Sequence, residues 1–320
     1  MHAQRALLTR QGMAFVNRLR RAVQSRGRHR LRRVEVSVVI DTGRPWSAVR
    51  ELARQVAEQG VSTVFVPDHF MEHNDDGSPS DGPMLEAWTV LSALAVEVPG
   101  VRLGPLVLSA SHRHPAVVAN MASALDHVSG GRAVLGIGAG WQSNEHEAYG
   151  FELLGTSQRL QRLEEHCAAL ISLLRTDRTS LTGRYVALAD APCRPAPVQE
   201  RLPLLVGGGG ERRTLRIAAT YADVWHTWAG CEEFVRKSAV LDEHCAAIGR
   251  DPTEIRRATG TFIEEVRHVP SVLAPYREAG VDEFVLLDHR ARPATETLQI
   301  VDAALASSPS DTPGGAGLHP

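Results

Sequence analysis

GRAVLGIGAGWQSNEHEAYGF, residues 131–151, sets the frame for the whole chain. Residues 133–137 form a short apolar run of strand length, bounded by glycine. Gly138, Ala139, Gly140 and Trp141 follow, and two of these four positions lack a Cβ, so the backbone there can come close to a ligand. Directly behind them stand Asn144, Glu145, His146 and Glu147. A strand that ends in glycines and then delivers polar side chains is how an α/β protein builds a site at the carboxyl edge of its sheet. A buried strand with a permissive loop behind it is the plainer alternative, and the flanking sequence decides between the two.

On the amino-terminal side, strand and helix patterns alternate. Residues 34–40 are a β-branched run, and 47–59 have helical periodicity stopped by Gly60. Residues 61–66 read as a second strand ending in Pro67-Asp68-His69-Phe70, followed by a polar Gly/Pro-rich loop over 75–83. A helix over 84–96, a third strand over 101–108 and a helix from Pro115 to about 128 complete this half, with Ser129-Gly130-Gly131 as the stop. On the carboxyl side, 156–174 reads as a helix with Arg159, Arg162, Glu164 and Glu165 on its wet face, and 179–191 as a hairpin around Gly183. Strands at 202–206, 222–225, 257–263 and 282–287 alternate with helices at 211–220, 232–248 and 269–279, and a last helix reaches 306. Eight strand–helix units in one run predict parallel strands closed into a (β/α)8 TIM barrel with a small hairpin insertion after the fourth unit. The expected organisation is a basic arm over 1–33, one barrel domain over 34–306, and a disordered Ser/Pro/Gly-rich tail over 307–320.

The 320 residues are 43% hydrophobic and 22% charged, an ordinary soluble composition. No apolar run approaches the roughly 18 residues of a membrane span. With no secretory signal, the expected location is cytoplasmic. The net charge of −2 conceals a division: residues 1–33 hold ten arginines and no acid, which leaves the remainder at −12. That argues against a nucleic-acid surface on the fold. The arm reads as an anion-binding tail, a transit peptide or a stretch without a role, the last being preferred. The four cysteines form no CxxC pair and read as reduced thiols, and no metal site is expected. Lys237 is the sole lysine, inside a charged helix, so neither a P-loop nor a strand-end Schiff base is available.

In a barrel the loops after the strands share one face, so distant candidates converge. His69, at a strand end, is the first candidate for proton transfer because imidazole titrates near neutrality. Asp68 orients it or holds a ring N–H of a ligand, or else caps the next element. Glu145 is the second proton-transfer candidate, against the alternative of a solvated loop acid. Trp141 walls a planar ring or fills the barrel mouth. Gly207, Gly208, Gly209 and Gly210, then Glu211, stand between a strand and a helix, where free N–H groups and the dipole favour a phosphate, with Arg212 and Arg213 nearby. A tight βα turn is the plainer reading, and GxGxxG is not met.

Val64-Phe65-Val66-Pro67-Asp68-His69-Phe70, Arg113-His114-Pro115-Ala116, Ser129-Gly130-Gly131-Arg132 running into Gly138-Ala139-Gly140-Trp141, and residues 203–210 with Ala222-Asp223-Val224-Trp225 together resemble the luciferase-like monooxygenase superfamily, nearest its F420-dependent branch. The resemblance covers roughly 34–287. It implies an F420 or FMN ring at the carboxyl face of the barrel, with Asp68 and His69 beside it. It further implies that Gly138 to Trp141, Asn144 and Glu145 line cofactor and substrate, with Gly207 to Gly210 on the phosphate. A non-proline cis peptide behind the ring maps to about Leu106-Val107. The activity implied is hydride transfer between F420 and a small organic substrate, with a homodimer as a candidate assembly. The alternatives are an FMN-dependent monooxygenase of this fold and a non-redox phosphate-binding barrel enzyme.

Overall fold

The computed structural model describes residues 33–72, 80, 82–263, 269–289 and 292–308. The expected basic arm up to residue 32, most of the loop over 73–81 and the tail from 309 lie outside the described residues.

Strand β1 (Glu35–Val39) shows why the barrel forms. Val36 and Val38 are buried against helices while Val39 points into the interior, so both faces of the strand are apolar. The other barrel strands are β2 (Thr63–Val66), β3 (Arg102–Pro105), β4 (Leu108–Ser109), β5 (Leu135–Gly138), β8 (Leu204–Gly207), β9 (Val224–Trp228), β10 (Arg256–Phe262) and β11 (Glu283–Leu287). These strands hydrogen-bond in the order β3-β2-β1-β11-β10-β9-β8-β5-β4, and the pairings are parallel. β1 registers on β11 from Glu35↔Glu283 to Val39↔Leu287.

The expected third strand is one path in two pieces. β3 pairs with β2, β4 pairs with β5, and between them the Leu106–Val107 peptide is cis. A bridge from Leu103 to Ala133 joins β3 to the β5 side as well. The nine segments therefore act as eight strands in a closed barrel, as the alternation of elements predicts. Phe65, Leu106, Val134, Leu205, Val224 and Val285 fill its interior.

Outside pack α1 (Trp46–Gln59), α2 (Ala87–Glu97), α3 (Pro115–Ser129), α5 (Thr156–Arg175), α6 (Thr214–Tyr221), α7 (Cys231–Ala247), α8 (Val269–Glu278) and α9 (Ala294–Ala306). None of the described helices is long and apolar enough to cross a membrane. Gly60 and Gly130 close α1 and α3 in the left-handed conformation. The hairpin is β6 (Thr179–Thr182) with β7 (Ala187–Ala191).

Several boundaries move, each for a local reason. α2 starts at Ala87, not 84, because the Glu86 carboxylate caps it by accepting the N–H groups of Trp88 and Thr89. The helix expected from 211 starts at Thr214, after a turn over 211–213. The sixth barrel strand runs Val224–Trp228 rather than 222–225. Glu165 is not simply on the wet face of α5: its carboxylate accepts the N–H groups of Arg184, Tyr185 and Val186 and fastens the hairpin to the barrel. A short helix absent from the sequence reading, α4 (Ser143–Tyr149), carries Asn144 and Glu145.

The amino-terminal mouth is filled with charge. Glu283 is buried and accepts from Ser37 Oγ and Thr63 Oγ1, while Glu35 pairs with Arg102 and Arg256. A cavity of about 410 Å³ lies among these side chains, and one of about 520 Å³ opens at the carboxyl mouth.

Candidate functional site

The corner after β2 is tied to the corner after β4 through Asp68. Its buried carboxylate accepts from Ser109 N–H at 3.0 Å and from Arg113 Nη1 at 2.9 Å, and His112 Nδ1 lies 3.4 Å away. Burial alone would raise the Asp68 carboxyl, but the hydrogen bond from His112, the Arg113 charge and the Ser109 N–H outweigh it and hold it below the usual carboxylate range. Arg113 also reaches Glu86 at 2.7 Å, so the cap of α2 belongs to the same network.

The next residue, His69, keeps 17% of its side chain exposed, towards the cavity. Its Nδ1 is 3.1 Å from Glu145 Oε1, and Glu145 Oε2 accepts the Phe70 N–H at 2.8 Å. Burial would again raise the Glu145 carboxyl, yet His69 and the Phe70 amide lower it on balance. A carboxylate there requires Nδ1 of His69 to carry a proton towards it. Glu145 is thus a buried helical residue behind His69, not a loop acid in water.

Behind these two, His112 and His146 complete a packed polar shell. His146 Nδ1 donates to the Gln142 carbonyl and its Nε2 receives Ser111 Oγ, both at 2.6 Å. His112 Nε2 lies 3.6 Å from Glu145 Oε1. His112, Glu145 and His146 present donor atoms within 4.8 Å of one another, enough for a metal. An ion there would displace the Ser111 bond to His146 and compete with His69 for Glu145.

The cavity that His69 faces has a volume of about 520 Å³, within the 300–1,000 Å³ range of small-molecule sites. Asp68, His69, Leu106, Val107, Gly138, Ala139, Gly140, Trp141, Glu145, Gly207 and Gly208 all line it, so four distant corners do meet. Trp141 meets His69 edge-on at 5.6 Å. The glycines serve a purpose beyond ligand approach. A Cβ at Gly138 would lie 2.7 Å from a Val107 methyl, and one at Gly207 2.9 Å from the other. They make room for the turned segment around the cis peptide.

Asn144, Gly209, Gly210 and Glu211 fall outside this wall. Asn144 Nδ2 donates to the Glu72 carbonyl. The Gly208 N–H is taken by the His226 carbonyl, and the Gly209 carbonyl by Lys237. The Glu211 carboxylate meets Arg236, and its backbone oxygen accepts from His244. The sole lysine therefore braces the glycine corner from α7.

Sequence reasoning missed the far wall: Asp41, Leu287, Asp288 and His289 from the β1 and β11 corners, and His226, Trp228 and Phe262 from β9 and β10. Alternation along β9 puts Val224, His226 and Trp228 on one face, and Val224 fills the interior, so a period-2 reading of this strand was the available signal. His226 is buried, its Nε2 has no hydrogen-bond partner among the described residues, and burial takes its pKa down to about 3.

Comparison with known proteins agrees with this architecture. An uncharacterised protein of Mycobacterium tuberculosis is 28% identical over 268 residues, covering 79% of this chain and 92% of that protein. F420-dependent glucose-6-phosphate dehydrogenases of Amycolatopsis mediterranei and Kineococcus radiotolerans are 32% and 35% identical over 161 and 163 residues. Those matches span 50% of this chain and 47% and 46% of the dehydrogenases, about half of each. Among solved structures, an F420-dependent secondary alcohol dehydrogenase in complex with an F420-acetone adduct superposes with a TM-score of 0.76, at 17% identity, over 87% of this chain and all of that one. The EDTA monooxygenase of Chelativorans sp. gives 0.72, at 12% identity, over 86% and 94%. These two likenesses concern the fold. A family model described as luciferase-like monooxygenase matches residues 27–264, and the chain belongs to that family.

Proposed function

We propose that this protein is an F420-dependent oxidoreductase that transfers hydride between the deazaflavin and a small organic substrate. The observation that carries the reading is His69, fixed in one tautomer by Glu145 and facing a cavity that four βα corners share. The fit to a tricyclic ring rests on two features. The cavity has the volume, and its middle is apolar where Leu106 and Val107 line it. Gly207 to Gly210, followed by Glu211, remain the proposed phosphate corner, and Asn144 belongs with Gly138 to Trp141 on the proposed ring and substrate side.

The deazaflavin, when bound, supplies the hydride-accepting or hydride-donating carbon. The chain's own residues do the rest. In the oxidising direction His69 would take the substrate's hydroxyl proton, the hydride would go to the bound cofactor, and a carbonyl would be left. In reverse the imidazolium returns the proton. Glu145, ionised and buried, stabilises that imidazolium and keeps its ring aimed. Asp68 holds the corner that carries His69. The names of the F420-dependent relatives support this cofactor. A riboflavin lyase of similar fold, solved with modified FMN, supports FMN as the second reading.

The test is thermal unfolding with F420, FMN, FAD or a sugar phosphate alone. A ligand at 100 times its Kd adds about 2.7 kcal/mol of stability. A shift with F420 alone is expected. A shift with FMN alone moves the assignment to a flavin enzyme, and a shift only with the sugar phosphate ends the redox reading.

A further inference from the structure

The wall opposite His69 is built for something other than a sugar phosphate. Trp228 and Phe262 stand at the carboxyl ends of adjacent strands, stacked at 28° with centroids 6.0 Å apart, and are 41% and 45% exposed. Both line the cavity. Trp225, Phe65, Phe234 and Phe284 are fully buried, whereas Trp141 on the near wall and Tyr149 are, like this pair, exposed. His226 lies on the same face of β9 as Trp228, edge-on at 4.6 Å. Its ring is 2% exposed, with Nε2 unpartnered. A buried nitrogen without a partner costs free energy, so one is expected from the ligand.

Charge points the same way. The described cavity wall holds Asp41, Asp68, Glu72, Glu145 and Asp288 and neither arginine nor lysine. Arg113 and Arg44 stand behind it, on Asp68 and Asp288. An anionic substrate held among these carboxylates, away from the Gly207–Gly210 corner proposed for the cofactor phosphate, would meet that field unfavourably. A planar uncharged molecule would cover the two bare rings and lose little by leaving water.

We propose that His226, Trp228 and Phe262 form a substrate subsite for an uncharged aromatic alcohol or ketone, its ring on the Trp228–Phe262 shelf and a polar ring substituent hydrogen-bonded to His226. This rests on reading the cavity as the substrate cavity of an oxidoreductase, and it names the substrate class. An imidazole kept neutral by burial can donate or accept, so a phenolic hydroxyl or a carbonyl serves equally.

Calorimetric titration of the full chain without cofactor tests it, using 4′-hydroxyacetophenone, acetophenone and glucose 6-phosphate as probes. The hydroxylated ketone should bind tightest and the sugar phosphate weakest. Trp228→Ala and Phe262→Ala should weaken both ketones by about tenfold while leaving F420 affinity within about twofold, the first being the scale of one lost aromatic contact. His226→Phe should remove the preference for the hydroxylated ketone, a change of about tenfold for one buried hydrogen bond. His226→Gln, which keeps a polar group there, should restore part of it, and serves alone should the Phe variant fail to fold. Tighter binding of glucose 6-phosphate than of either ketone overturns the proposal, as do unchanged ketone affinities in the Trp228 and Phe262 variants. Ketone binding without F420 binding would sink the cofactor assignment and leave the subsite; F420 binding without ketone binding would do the opposite.

Discussion

His69 and Glu145 divide one task between them. His69 borders the cavity, and Glu145 holds its Nδ1 from behind. Removing the imidazole should therefore cost the proton-transfer contribution, about 10²–10⁴-fold in kcat for His69→Ala, with the F420-induced thermal shift retained. Glu145→Gln should cost less, on the order of tenfold, because an amide can still accept from His69. Steady-state kinetics on both variants, with circular dichroism to show the fold, checks the ranking; a larger loss for Glu145→Gln would make Glu145 the proton carrier. His226 gives a prediction in pH. Its folded pKa is about 3 against an ordinary 6.5, so in that window the unfolded chain binds a proton that the native chain does not. Its contribution is intact above 6.5 and erodes as pH falls, by about 2 kcal/mol at pH 5. Asp68 and Glu145, whose values are depressed, keep their contributions down to the ordinary carboxylate range and lose them only below it. Urea unfolding of wild type and His226→Phe at pH 7 and pH 5 isolates the histidine. Equal pH slopes would mean that His226 is solvated.

The seam between β3 and β5 explains why the glycines near this site are where they are. A Cβ on Gly136 would sit against the Pro105 carbonyl and 3.1 Å from a Val107 methyl, and one on Gly104 would meet the Val134 carbonyl and lie 3.2 Å from its Cβ. Neither glycine has positive φ, so crowding alone decides. Backbone atoms cannot swing aside, and Gly136→Ala should cost more than ~3 kcal/mol or prevent folding. Gly60→Ala is the control: open space surrounds that Cβ, φ is +97°, and only the left-handed penalty of about 1–2 kcal/mol applies. Chemical denaturation of both variants orders them, and a Gly136→Ala protein as stable as Gly60→Ala would contradict the seam. These elements also mark how far sequence could reach. Period-2 and period-3.6 patterns with glycine stops placed the barrel strands and the hairpin, and family resemblance placed the cis peptide between Leu106 and Val107. The start of α6 was misplaced because four glycines and a turn carry no periodicity. Glu145, read as a proton-transfer candidate, was placed in a loop because the seven-residue α4 is too short to show a helical period. His226 went unremarked because a lone histidine in an apolar strand looks like core until the neighbouring strands reveal a cavity above it.

Barrel closure converts these separate corners into a single site. β1 is locked to β11 over five register pairs, and the β3–β4 path meets both β2 and β5, so no described barrel strand is left at an edge. Amides of β1 and β11 should exchange with solvent only through global unfolding, whereas corners delivered by the strand ends should open locally. A guest held by all four corners stabilises every conformation in which they are together. Hydrogen exchange followed by mass spectrometry, with and without F420, should therefore show slowing at residues 68–72, 106–112, 138–146 and 207–213 at the same ligand concentration. The slowing at each should reach at most the linkage limit, about 2.7 kcal/mol at 100 times Kd. Protection confined to 207–213 would describe a phosphate site with no ring beside His69. Protection at 138–146 alone would describe Trp141 acting by itself. Either outcome would separate corners that the closed sheet brings within reach of one another, and the proton-transfer assignment of His69 would lose its substrate.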